Sequence, residues 1–286
     1  MMSPSDRFEL LESTPRSSLT VFNIAGFHVY LYGVDELSAE QAKDTTVLFH
    51  IHGRTRTYKD AEEVAHHLIS ECRARGPTKK GLVVATLDNR NHGSRAIDKI
   101  AIQDWEGGNP RHAQDMLSMM DGIVADVQTI ITFLESYVEG LFTPTKFIVT
   151  GTSLGGHVAW DILARDDRVN NGIIIVGSPN LTDMLVERLD RYTSTTDGVT
   201  GSKEWPKSIE KLYLARDKRL EEISGKEFLI LNGAIDPLVP AKFTLPWVQK
   251  FGANNKVTLV EQEDNGHWVS LQMMEKMVNW VMEALA

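Results

Sequence analysis

Short apolar runs alternate along most of this chain with helical patterns, and that alternation restricts the fold more than any other feature. The runs are 46–51 (TVLFHI), 81–87 (GLVVATL), 146–150 (KFIVT), 172–176 (GIIIV), 227–231 (EFLIL) and 256–260 (KVTLV). Between most of them lie amphipathic patterns at 59–75, 114–138, 154–165 and 241–251, with a last one from Trp268 to the C-terminus. Strands that are apolar throughout, not merely on alternate residues, are buried on both faces, so the pattern predicts a mostly parallel sheet covered by helices on each side. Two earlier strand patterns, 19–24 and 27–32, meet at Ala25-Gly26 and predict an antiparallel hairpin opening the sheet, which gives about eight strands. A length of 286 residues suits one large core, so the chain is expected to form a single domain. One interval breaks the rhythm. About 45 residues at 180–225 separate two strands where a plain crossover needs far fewer. With helical patterns at 183–192 and 208–223 and a polar stretch at 194–203, it is expected to be a helical cap folded over the C-terminal ends of the strands, where open α/β sheets bind ligands.

Charge and composition narrow the partners. The net charge is −9 with no basic block, which argues against nucleic acid and anionic membrane surfaces and for a small-molecule substrate. The first residues, Met1 to Arg7, lack the apolar core of a secretory signal, and no later segment reads as the roughly 18 apolar residues of a membrane span. A cytoplasmic protein without membrane insertion is the expectation; the oligomeric state is left open. The single cysteine, Cys72, sits in a helical pattern and reads as a structural or surface thiol.

Directly after the 146–150 run comes Gly151-Thr152-Ser153-Leu154-Gly155-Gly156, of the form G-x-S-x-G, in which a strand turns sharply into a helix and exposes one serine hydroxyl. A serine in a strained positive-φ turn leaves no room for side chains two positions either side, and Gly151 and Gly155 provide that room. The Leu154 amide, at the helix N-terminus, is a candidate oxyanion donor.

A serine hydroxyl needs a base, and histidine, with an ordinary pKa of about 6.5, is the usual one. Among nine histidines, His267 follows the last strand, in Asn265-Gly266-His267-Trp268, at the loop position from which an imidazole reaches the sheet edge. Asp236 follows the preceding strand and can orient His267. The chain order Ser153, Asp236, His267 is that of an α/β-hydrolase.

The G-T-S-L-G-G elbow, the G-A-I-D-P-L-V-P segment around Asp236 and the N-G-H-W segment together resemble the α/β-hydrolase superfamily, from about Leu19 to the C-terminus. His52-Gly53 stands where that superfamily carries an H-G oxyanion turn; by resemblance the Arg54 amide is the second donor, with Thr55 as fallback. Asp88-Asn89-Arg90-Asn91-His92-Gly93-Ser94 is similar to its D-x-R-G-x-G-x-S turn, with Asn91 in place of glycine, a residue that tolerates positive φ. The resemblance implies an α/β-hydrolase fold and a serine hydrolase acting on a carboxylic ester through an acyl-enzyme. An aminopeptidase, prolyl-type peptidase or amidase is the nearest alternative, and a non-catalytic binding protein on the same fold a further one. No cofactor is expected, since neither G-x-G-x-x-G after a first strand nor G-x-x-x-x-G-K-[ST] occurs.

Other residues have plainer readings. His50 and His52 have the spacing of a metal pair but no third ligand nearby, so no metal site is expected. His66 and His67 are expected at the surface or rim, His92 in a structural turn role, and His157 buried and hydrogen-bonded. His52, Trp105, His112 and Trp268 are candidate pocket walls, and Arg54, Arg56 and Lys59 form a basic cluster that could favour an anionic substrate.

Overall fold

A computed structural model describes residues 7–193 and 201–286. Residues 1–6 of the N-terminal stretch and 194–200 of the polar stretch in the insertion lie outside the described residues.

The sheet has eight strands in the order β1-β2-β4-β3-β5-β6-β7-β8. β1 (Leu19–Ile24) and β2 (Phe27–Tyr32) form the expected hairpin, with Ala25 and Gly26 both at positive φ, the backbone a two-residue turn between twisted strands requires. β2 pairs antiparallel with β4 (Gly81–Thr86), and every later pairing is parallel: β3 (Thr45–Ile51), β5 (Pro144–Thr152), β6 (Val169–Ile175), β7 (Glu227–Gly233) and β8 (Lys256–Gln262). β3 lies between β4 and β5, so the chain crosses to one side after β3 and to the other after β4. Loops leaving β3 and β5 therefore diverge and open a crevice at their C-terminal ends.

Alternate residues of each strand enter different cores. Val47, Phe49 and Ile51 of β3 face a cluster with α2 (His112–Tyr137) and α3 (Leu154–Arg165), including Ile123, Val127 and Val158. Leu48 joins the opposite cluster with α1 (Tyr58–Ala74) and α7 (Leu271–Leu285), including Leu68, Met277 and Val281.

Helix boundaries follow local chemistry. α1 opens at a reciprocal cap in which the Thr57 side chain accepts from the Lys59 amide and Asp60 accepts from the Thr57 amide. α7 starts at Leu271, three residues later than expected, because Ser270 caps it by accepting from the Met273 amide. The 241–251 pattern splits into a single tight turn at Ala241–Phe243 and α6 (Leu245–Phe251), because Pro246 has no amide hydrogen to carry a helix through. α2 differs from expectation in apolarity: it is long and apolar enough to cross a membrane by length and composition alone, yet most of its apolar window is buried inside the fold. A helix packed on a sheet on one side and neighbouring helices on others meets the same criterion.

Among its described residues the insertion contains two helices, α4 (Leu181–Thr193) and α5 (Lys207–Glu221). α5 buries Ile209, Tyr213, Arg216 and Leu220, one helical stripe, against α2 and α3. The Tyr213 hydroxyl donates to the Ala113 carbonyl at 2.8 Å, and Arg216 Nε donates to Asp161 of α3 at 2.9 Å. Asp217 accepts from the Thr182 amide at 2.9 Å, placing a carboxylate at the N-terminus of α4.

Candidate active site

The elbow is held by its backbone. Ser153 has φ +56° and ψ −114°, a conformation costly for a side-chain-bearing residue, and its amide donates to the Ile175 carbonyl of β6 at 2.9 Å. A methyl group on Gly155 would stand 1.9 Å from the Ile51 carbonyl oxygen, and one on Gly151 would stand 2.3 Å from the Gly155 backbone. The two glycines thus let α3 start hard against β3. Val176, just past β6, is also at positive φ (+43°), a strained position for a β-branched residue and one with no signal in the sequence.

Ser153, Asp236 and His267 come together from three loops. His267 Nε2 lies 2.8 Å from Ser153 Oγ, and His267 Nδ1 lies 2.7 Å from Asp236 Oδ2. Asp236 Oδ1 accepts from the Leu238 and Val239 amides at 2.8 and 2.9 Å, so the carboxylate is held on both oxygens, and its side chain is fully buried. Donation from Nδ1–H to this carboxylate leaves the Nε2 lone pair facing the serine hydroxyl, the tautomer a general base needs. The loops bearing the two residues interlock: a methyl group on Gly233 would stand 2.3 Å from the Asn265 carbonyl oxygen, and the Ile235 amide donates to that same oxygen.

Gly53, Arg54 and Leu154 line the cavity beside Ser153. The Leu154 amide belongs to the first turn of α3, where a helix has no internal acceptor to offer. Among the described residues the Arg54 amide has no hydrogen-bond acceptor either, whereas the Thr55 amide donates to His92 Nε2 at 3.0 Å. The fallback donor is therefore engaged, and the two first-choice amides are free for a ligand oxygen. His92 has a structural part here, its Nδ1 donating to the Arg90 carbonyl while Nε2 pins the turn after β3. His52 braces the same turn by accepting from the Asn89 amide at 3.0 Å; Asn89 in turn donates from its side chain to the His52 carbonyl, a contact the motif reading missed. Burial pushes the His52 pKa down to about 4 and lowers that of His92, so both stay neutral braces.

The cavity has a volume of about 440 Å³, the size of a small-ligand site. Of the four candidate wall residues, His52 and Trp268 line it and Trp105 and His112 do not. Trp105 is buried in the core and meets His112 edge to face at 4.8 Å. The cause is a turn closed by Asn109, whose amide donates to the Asp104 carbonyl and whose side chain ties to Asp115, which folds both rings inward. The basic cluster is neutralised in place: Arg54 pairs with Asp104, Arg56 with Asp60 and Lys59 with Glu62. It offers no unpaired charge to an anionic substrate.

His157 is buried, as expected, with Nδ1 accepting from the Ser178 amide at 3.0 Å, and burial lowers its pKa to about 3. His66 departs from expectation: it is buried, accepts from the Ser17 amide and packs edge-on to Tyr32. An imidazole can satisfy one nitrogen and bury the rest, so helix position alone does not put it outside. Cys72 is buried, and its thiol is pushed up to about 12 by desolvation, which makes it unreactive. No metal-ligating cluster occurs among the described residues. Among the cavity residues that motif reading missed is Arg188 of α4, which no pattern marks.

No protein-family model matches the chain. It is 23% identical over 197 residues to a Bacillus subtilis (strain 168) protein named "Putative esterase YitV", a match covering 66% of this chain and 77% of that one. Among solved structures, TT1662 from Thermus thermophilus superposes with a TM-score of 0.66 at 17% identity, over 95% of this chain and 99% of its own. An acetyl xylan esterase from Paenibacillus sp. R4 gives 0.62 at 17% identity, over 97% and 88%. The Pyrococcus furiosus esterase Pf2001 gives 0.56 at 16% identity, over 93% and 90%.

Proposed function

We propose that this chain, which has the α/β-hydrolase fold, is a serine hydrolase that cleaves a carboxylic ester of a small or medium-sized molecule. The observation that carries the reading is the unbroken hydrogen-bonded line from Ser153 Oγ through His267 to a doubly anchored Asp236. The esterase names among its relatives favour the same chemistry.

In this reading Ser153 attacks the ester carbonyl while His267 takes its proton through Nε2, and Asp236 stabilises the imidazolium that results. The Arg54 and Leu154 amides receive the oxyanion of the tetrahedral intermediate. As that intermediate collapses, His267 returns the proton to the leaving alcohol, and water then repeats the sequence on the acyl-enzyme. The helices α4 and α5 act as the cap in this scheme, and no cofactor takes part.

Fluorophosphonate labelling followed by peptide mapping tests the reading. One label on the peptide carrying Ser153, absent from Ser153→Ala, is the expected result; labelling elsewhere, or none, overturns it. Rates on acyl esters against aminoacyl amides separate an esterase from a peptidase using the same groups.

A further inference from the structure

Arg188 lies on α4 and faces the cavity that holds Ser153. Unlike Arg54 and Arg56, which also line the cavity and carry carboxylate partners, it makes no ion pair among the described residues. Its hydrogen bond runs from Nη2 to the Leu238 carbonyl at 2.5 Å, and its Nε is buried without a partner. Burial, followed by the like charge of Arg54, pushes its pKa down to about 10, still high enough to keep it charged near neutrality. A guanidinium held in this way is expensive, because a buried donor without an acceptor loses its water and gains nothing in return. Leu238 is two residues past Asp236, so the bond ties this cation to the loop that orients the catalytic histidine.

Resting on the serine hydrolase reading above, we propose that Arg188 is a specificity residue that receives a carboxylate on the substrate, remote from the scissile ester. The substrate class is then half esters of dicarboxylic acids, or esters bearing an equivalent carboxylate. A planar monoanion matches the free edge of a guanidinium whose other amine is already engaged. Arg7 also lines the cavity without an ion pair among the described residues but is exposed, so Arg188 is the sheltered unpaired cation there, and a dianionic phosphate would bring one charge more than it balances.

The test uses p-nitrophenyl half esters of succinate, glutarate and adipate. Each is paired with a neutral ester of matched shape, such as p-nitrophenyl 5-methylhexanoate for the glutarate compound. The readout is the ratio of kcat/KM for the anionic and neutral partner within one protein preparation, which cancels losses common to both. The expected ratio for at least one chain length is about 10 to 100 in the wild type, falling close to 1 in Arg188→Met and partly restored in Arg188→Lys. A wild-type ratio near 1 at every length, or an unchanged ratio in Arg188→Met, overturns the proposal. If neither partner is cleaved, the hydrolase reading fails, and calorimetric binding of the glutarate half ester to Ser153→Ala still decides the anion site. Binding weakened at least tenfold by adding Arg188→Met supports it, and binding indifferent to that change ends it.

Discussion

The elbow after β5 and the insertion after β6 sit on the same edge of the sheet and are held in opposite ways. At the elbow, backbone meets backbone, as where Gly155 approaches the Ile51 carbonyl and Gly151 approaches Gly155 itself. The insertion is held by side chains: Tyr213 on the Ala113 carbonyl, Arg216 on Asp161, Asp217 on the α4 amides. Contacts between backbones admit almost no alternative residue, whereas a side-chain contact can be made by many residue pairs. On the proposed reading, positions that must hold a reacting hydroxyl within a few tenths of an ångström are built in the first way, and the wall that fits a substrate in the second.

The largest predicted effects fall on the elbow and its partners. Ser153→Ala should lower ester turnover about 10⁴- to 10⁶-fold with little change in Tm, since the hydroxyl contributes chemistry and not packing. Asp236→Asn should cost about 10⁴-fold, because the amide leaves His267 in the wrong tautomer. Near-normal turnover in either variant, measured on the same ester, would remove the distinction between a chemical edge and a fitted wall.

Next comes the insertion. Arg216→Met leaves Asp161 and Asp217 facing each other across a buried space, and breaking such a pair typically costs about 3–5 kcal/mol. Urea unfolding should show that loss. A loss below about 1 kcal/mol would mean that apolar packing, and not this ion pair, holds α5 down.

The same contrast explains what could be read without coordinates. The strand–helix alternation, the hairpin at Ala25-Gly26 and the G-x-S-x-G turn are legible because each rests on local periodicity or on a position only certain residues can occupy. Ser153, Asp236 and His267 were legible because each follows an apolar run at the edge where parallel strands end. Trp105 and His112 were misplaced because the inward turn that buries them depends on Asn109 reaching Asp115, a contact with no spacing rule. Arg188 was invisible for the same reason: an arginine on an amphipathic helix looks solvated until its neighbours are known.

The smallest predicted effect per residue concerns acid. His50, His52, His112 and His157 are all buried, with pKa values lowered by desolvation to about 3, 4, 3 and 3. The unfolded chain, with histidine near 6.5, binds protons first as pH falls, so this stability is complete above about 6.5 and drains away between there and about 3. Each such histidine contributes a slope of up to about 1.4 kcal/mol per pH unit. Tm should fall steadily from pH 7 to pH 5. His112→Gln, beside the insertion, should make that slope shallower by about one histidine's share, and a Tm that is flat over the interval would show that these rings are hydrated after all.

The close approach of Gly233 to the Asn265 carbonyl has a mechanical meaning. Asp236 and His267 ride on a single interlocked ledge, while Ser153 rides on β5, which β6 separates from that ledge and which is clamped to β3. A guest that needs more room must push on α4, because neither ledge nor clamp can give way without one backbone passing through another.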